Sequence, residues 1–240
     1  MKLKKYAQIF CLKVATLIVF SASIGHAQSE YQYPGKGIII QPGQENIEGE
    51  NFQAILVVKA LKELGYEVKD VQNARYPLLH VAIANGDVTF MADHWNPLHR
   101  AFFDEAGGED KLTLIGRYIP GCGQGYLIDQ KTAEKYDITN IGQLADPDIA
   151  KLFDANNDGK ADLAGCVPGW GCERVIEHQL DTFKLRETGT HNQGEDSAII
   201  ADTIARYRQG DSILYYTWTP YWVSGTLVPG KDVRWLEGPY

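Results

Sequence analysis

From Gly35 onward, short apolar runs alternate with amphipathic helical stripes, and that alternation restricts the chain to α/β architectures assembled from βα units. Residues 38–40 read as a first strand. Phe52, Ile55, Leu56, Leu61 and Leu64 then form a stripe at helical spacing, which Gly65 ends as a C-terminal cap. Residues 66–71 read as a second strand, 76–84 as a helix and 88–92 as a third strand that ends at Trp95. A helix opening on Pro97 follows, proline being favoured in the first helical turn. Strands at 112–119 and 125–128 carry the chain into a second region. That region has short helices at 141–144 and 147–153, longer ones at about 172–183 and 196–207, and a last apolar strand at 212–217 ending at Trp218. The simplest assembly is two α/β lobes with a cleft between them.

The N-terminus sets the compartment. Lys2, Lys4, Lys5 and Lys13 are the only charged residues before an apolar run through Val14, Leu17, Ile18, Val19 and Phe20. The run closes on Gly25-His26-Ala27, small at the two positions a signal peptidase reads. Residues 1–27 therefore read as an export signal. Interrupted by Lys13, the run is shorter than the roughly 20 residues needed to span a bilayer. Cys11 precedes most of the run, which is the wrong side for a lipid-anchored cysteine. The whole chain carries a formal charge of −8, and loss of four lysines leaves the mature protein more acidic still. Such acidity argues against nucleic acid or an anionic membrane as partner, since phosphates require clustered Lys and Arg. The 44% hydrophobic content excludes a disordered polymer.

Three cysteines remain after export: Cys122, Cys166 and Cys172. In an oxidising compartment Cys166 and Cys172, separated by Val-Pro-Gly-Trp-Gly, read as a short-loop disulfide, the alternative being two buried thiols. The spacing is not that of a redox C-x-x-C pair, and no zinc pattern is visible. Cys122 is left without a partner.

Trp95-Asn96-Pro97 and Trp218-Thr219-Pro220 each follow an apolar strand and each open a helix, which places two indoles at the carboxyl ends of strands, where open α/β sheets bind ligands. Trp170 lies in the loop Pro168-Gly169-Trp170-Gly171-Cys172 at the start of a helix. Any single tryptophan is more often core than ligand contact; three so placed suggest a cage. Indole faces attract cations, above all a quaternary ammonium, which has no hydrogen bonds to give. The amides of Gly171 and Cys172 at a helix N-terminus suit an anion such as a carboxylate. His99, one turn after Trp95, offers a further donor, with an ordinary surface histidine as the alternative. Together these residues describe a zwitterion with a methylated amine and a carboxylate.

Trp95-Asn96-Pro97-Leu98-His99, the loop from Gly165 to Glu173, Thr190-His191-Asn192-Gln193-Gly194 and the segment from Tyr215 to Trp222 resemble the periplasmic substrate-binding protein of glycine betaine/proline betaine ABC transporters. The resemblance runs from Pro34-Gly35-Lys36-Gly37 to Trp235. It implies a two-lobed type II periplasmic binding fold, with residues 28–119 as the first lobe, 120–226 as the second and 227–240 as the start of a return to the first. In that family the return continues for several dozen residues past the point matching Gly238-Pro239-Tyr240, so the first lobe is expected to be incomplete here. The resemblance also implies a cage of Trp95, Trp170 and Trp218, carboxylate contacts from His99, Gly171 and Cys172, and a Cys166–Cys172 disulfide. The expected partners are a betaine ligand and the membrane permease of an ABC importer, the protein being a monomer without cofactor; choline and carnitine are the alternative ligands.

Two further motifs are weaker. Asp154-Ala155-Asn156-Asn157-Asp158-Gly159-Lys160-Ala161-Asp162 fits the first half of a calcium loop, but Gly165 stands where the bidentate carboxylate belongs, which leaves an Asx-turn-rich surface loop as the main reading and no metal site assigned. Gly210-Asp211-Ser212-Ile213 resembles the serine block of certain secreted esterases, yet no histidine follows it. No catalytic residue is expected.

Overall fold

The structure is a computed structural model and describes residues 33–238; the export signal and Cys11 lie outside the described residues. In the first region, β1 (Ile39–Ile40) and β2 (Gly43–Gln44) precede α1 (Glu48–Glu63), and β3 (Glu67–Val68) and β4 (Gln72–Asn73) precede α2 (Tyr76–Asn85). The connections are those of βα units: β1 pairs with β3 and β2 with β4, both parallel. Gly65, at φ 85°, follows the last turn of α1 and supplies the left-handed conformation that ends it. After α2 the chain runs through Trp95 to α3 (Arg100–Glu105).

The second region is organised by a mixed sheet. β5 (Gly123–Asp129) leads into α4 (Gln130–Tyr136), whose N-terminal amide at Thr132 is capped by the Asp129 carboxylate at 2.8 Å. After α5 (Pro147–Ala150) come β6 (Ala161–Ala164), α6 (Gly171–Thr182), β7 (Gly189–Asn192), α7 (Asp196–Gln209), β8 (Leu214–Thr219) and β9 (Val233–Trp235). The strand order is β7-β6-β8-β5-β9, with β6 parallel to β7 and β8, and β5 antiparallel to β8 and β9.

Strand alternation divides the core. Tyr126, Ile128, Leu214, Tyr216 and Trp218 point to one face, where they pack with Ile176, Leu180 and Trp170; Leu127 and Tyr215 point to the other, against Ile200, Ile204 and Val233. Trp218, two residues beyond Tyr216, thus emerges on the face that also carries Trp170.

Several expectations from sequence are corrected. The run 88–92 lies beside residues 41–43 but forms only a bridge between Phe90 and Pro42, whose proline nitrogen has no hydrogen to give a ladder, and 112–119 is irregular. Trp95 therefore does not follow a strand. Residues 96–99 are a turn and the helix starts at Arg100; both Asn96-Pro97 and Thr219-Pro220 are cis. Trp218 lies inside β8 and not after it. The stripe on α1 does not face the core either: Phe52, Ile55 and Leu56 are exposed, while Glu50 and Ala54 are buried. The buried edge of α1 is a polar one, turned toward Tyr76 and Trp95 by the hydrogen bonds of Glu50.

Candidate functional site

A cleft of about 300 Å³ lies between the two regions, walled by Trp95, Trp170, Trp218, Tyr76 and His99 and floored by Gly171 and Cys172. The structure therefore brings together all six residues singled out from sequence.

Each indole is held from behind. Trp218 stacks on Tyr221 with ring centroids 4.4 Å apart and an interplanar angle of 19°, and the Tyr221 hydroxyl donates to the Asp196 carboxylate. Trp170 meets Trp218 edge-on at 5.8 Å and 71°, the arrangement that aligns a positive ring edge with a negative face. Its indole N–H donates to Oε2 of Glu45 at 3.1 Å. Trp95 donates its indole N–H to Oε1 of Glu50 at 3.0 Å, and Glu50 Oε2 accepts from the Tyr76 hydroxyl at 2.5 Å. A carboxylate on an indole N–H fixes the ring and enriches its face in electron density.

The Trp170 loop is braced on three sides. Cys166 and Cys172 are disulfide-bonded, with Cα atoms 6.1 Å apart. His191 Nε2 accepts from the Cys166 amide at 3.0 Å, while its Nδ1–H donates to Glu177 at 2.7 Å, so the imidazole ties the loop to α6. A side chain at Gly165 would bring Cβ within 2.0 Å of the His191 ring, which explains glycine there. Gly171 packs against Leu98: a Cβ would stand 2.7 Å from Leu98 Cγ and 3.1 Å from its carbonyl oxygen. That close approach seats the start of α6 against the turn carrying His99.

Charge is distributed unevenly along the cleft. α6 begins at Gly171 without a capping side chain, so the dipole and the free amides of its first turn favour an anion. On the other side stand Glu45, Glu50 and Asp93, all buried. Burial raises all three carboxyls, and Glu50 is raised furthest because the charge of Asp93 adds to its desolvation. Glu45 is offset by Arg75 at 3.5 Å and by the amide of Asn46. Burial also pushes His99 well below the usual imidazole range, leaving it neutral. Its Nδ1 accepts from the Trp95 amide at 3.2 Å, so the proton resides on Nε2 and that nitrogen is a donor.

Glu45, Glu50, Tyr76 and Asp93 were not singled out from sequence. Glu45 and Glu50 carry only the signal of any helix N-terminus, acidic residues around the start of α1, and Tyr76 and Asp93 carry none. Elsewhere, the oxygens of Asp154, Asp158 and Asp162 accept from their own loop amides at Gly159, Lys160 and Ala155, at 2.8, 2.9 and 2.7 Å, as Asx turns do. Ser212 shares a hydrogen bond with the Thr132 hydroxyl at 2.7 Å. Cys122 is exposed and unbonded. Among the described residues no helix is long and apolar enough to cross a membrane.

Residues 39–240 match the family model described as the substrate binding domain of the ABC-type glycine betaine transport system. The chain is 56% identical over 207 residues to the glycine betaine-binding periplasmic protein OusX of Dickeya dadantii, an alignment covering 86% of this chain and 62% of that protein. It is 50% identical over 239 residues to the glycine betaine/proline betaine-binding periplasmic protein of Escherichia coli, covering 98% of this chain and 70% of that one. The chain thus spans less than two thirds of the first relative's length. Among solved structures it is similar to a glycine betaine/L-proline-binding protein (ProX) from Borrelia burgdorferi, at TM-score 0.69 and 18% identity, over 84% of this chain and 69% of that one. The last likeness concerns the fold.

Proposed function

The chain belongs to the family of substrate-binding domains of ABC-type glycine betaine transport systems, and from that membership we propose that it binds glycine betaine or proline betaine in the indole-lined cleft. The observation that carries this reading is the polarity of the cleft. Trp170 and Trp95 are backed by the carboxyls of Glu45 and Glu50 and Trp218 by the ring of Tyr221, and the uncapped start of α6 and neutral His99 line the same cleft, so indole faces and anion donors share one site. A trimethylammonium group is attracted by the indole faces and asks for no hydrogen bond, so the absence of acceptors on those faces costs nothing. The carboxylate of the same ligand takes the amides of Gly171 and Cys172 and the Nε2–H of His99.

On this reading the two regions close on the ligand and open to release it, and contacts that cross the cleft would help to hold them together. Besides Trp170 with Glu45, Arg75 pairs with Glu195 at 2.8 Å and Arg174 with Glu105 at 3.1 Å. These two pairs are exposed, so each adds little energy and serves orientation. The protein acts in the periplasm as the ligand-delivering partner of a membrane permease and catalyses no reaction. Titration of glycine betaine into the purified protein, followed by tryptophan fluorescence, tests the reading. A saturable change is expected, and no change with betaine at millimolar concentration would refute it.

A further inference from the structure

Behind the wall of the cleft three imidazoles converge. His80 comes from α2, His94 directly precedes Trp95 and His99 ends the turn before α3; one ring nitrogen of each lies within 4.8 Å of the other two. The ring centroids stand 5.2, 5.6 and 5.9 Å apart. His80 and His99 are each 1% exposed, and Phe102 and Phe103 pack on the group. Burying three polar rings among phenylalanines is costly unless their nitrogens are partnered.

Hydrogen bonding partners only some of them. His80 Nδ1 faces the Tyr76 carbonyl oxygen at 2.6 Å, so it carries the proton and donates. Its Nε2 is then a bare lone pair, directed at His94 Nδ1 3.0 Å away. If His94 donates through Nδ1, its Nε2 becomes a second lone pair, and that buried atom has no partner. The donor-to-carbonyl bond on the outer nitrogen of His80 is the arrangement that fixes the tautomer of metal-binding histidines. Imidazole nitrogen is the ligand of choice for zinc, copper and nickel, and a poor one for calcium or magnesium.

We propose that His80, His94 and His99 form a three-imidazole site for a divalent transition-metal ion, with Zn2+ as its representative, and that filling it weakens ligand binding by engaging His99. Nitrogens around a tetrahedral zinc stand roughly 3.4 Å apart, so the set closes by rotation of a ring. The coordination is open beyond the three imidazoles, leaving a position for water. His99 Nδ1 accepts from the Trp95 amide and its Nε2 holds the proton, so an ion taken on Nε2 displaces the very proton that His99 offers to the cleft, and the two uses of the ring compete. This competitive part rests on the betaine reading; the ion site itself does not. His94 and His99 have the spacing of one half of a zinc motif, but no second ligand pair accompanies them and His80 lies 14 residues upstream, so the sequence alone assigned no metal.

The test is calorimetric titration of chelator-treated protein with Zn2+ alone, repeated with Ca2+. The site predicts one tightly bound Zn2+ per chain and no response to Ca2+, with His80→Gln and His94→Asn each weakening Zn2+ binding by at least about ten-fold. Saturating Zn2+ should weaken glycine betaine binding several-fold in the unaltered protein and leave it unchanged in His94→Asn. Should the variants not fold, Co2+ in the unaltered protein must give the visible absorption of a four-coordinate nitrogen site. Absence of Zn2+ binding, or equal binding by unaltered protein and folded variants, overturns the site. Zn2+ binding without any betaine binding would uphold the site and refute the betaine reading; betaine binding without Zn2+ binding would do the reverse.

Discussion

The indole N–H of Trp170 donates to the Glu45 carboxylate at 3.1 Å across a separation of 125 residues, joining the disulfide-braced loop of the second region to the first. Both partners are buried. A hydrogen bond to a charged group contributes about 1.5–3 kcal/mol. Glu45→Ala should therefore weaken glycine betaine binding by about ten-fold or more, while Glu45→Gln, which keeps an acceptor, should lose less. Isothermal calorimetry separates the two, and equal losses would mean that Glu45 acts by charge alone.

The cage makes a comparative prediction. A desolvated cation–indole contact contributes about 2 kcal/mol, so Trp95→Ala, Trp170→Ala and Trp218→Ala should each reduce betaine affinity by at least about ten-fold. Trp235, in β9, packs beside Gly125 away from the cleft, and Trp235→Ala should do much less. Equal affinities of the Trp95→Ala and Trp235→Ala proteins would remove Trp95 from the site.

How much of this was readable from the chain itself depends on how local the information is. The long strands β5 and β8 and the helical stripes of α6 and α7 were legible, whereas β6, β7 and β9 of the same sheet were not. β2 and β4 are two residues each, too short to show any period, and β6 is bounded by polar loop. Run 88–92 has the composition of a strand but only one bridge, since pairing is decided by what lies beside it. The tryptophans and the helix start of the site were visible because each sits in a distinctive local motif. Glu45, Glu50 and Asp93 were not, because what distinguishes them is burial against residues far away in sequence.

Reduction should loosen the Trp170 loop. Closing so small a loop contributes roughly 2 kcal/mol, or about 4–8 °C in melting temperature for a chain of this size. Mass spectrometry should find Cys166 linked to Cys172 and Cys122 alkylated. A bridge from Cys122 to either cysteine would contradict the loop's construction.

Acid should destabilise the fold through the buried imidazoles. Burial lowers His80, His94 and His99, with His94 brought to about 4. The unfolded chain takes up these protons near pH 6.5 and the folded one does not, so their contribution is fully present above about pH 6.5 and is lost as pH falls toward 4. The loss is about 1.4 kcal/mol per pH unit for each ring still neutral in the fold. Glu50, raised by burial, acts in the opposite sense, since the folded state holds its proton where the unfolded state has released it. The informative quantity is therefore a difference: urea melts in chelator between pH 7 and 5 should show a shallower acid loss for His94→Asn than for unaltered protein. Equal slopes would show that His94 is not held neutral.

The central claim, that the cleft reads both ends of a zwitterion, is tested most directly by calorimetric titration with glycine betaine and with choline, which shares the trimethylammonium group but lacks the carboxylate. On this account the bonds from Gly171, Cys172 and His99 would act on the carboxylate alone, and even one charge-assisted bond is worth about 1.5–3 kcal/mol. Glycine betaine should therefore bind at least about ten-fold more tightly than choline, and His99→Ala should narrow the gap. Choline binding as tightly as glycine betaine to the unaltered protein would contradict the account.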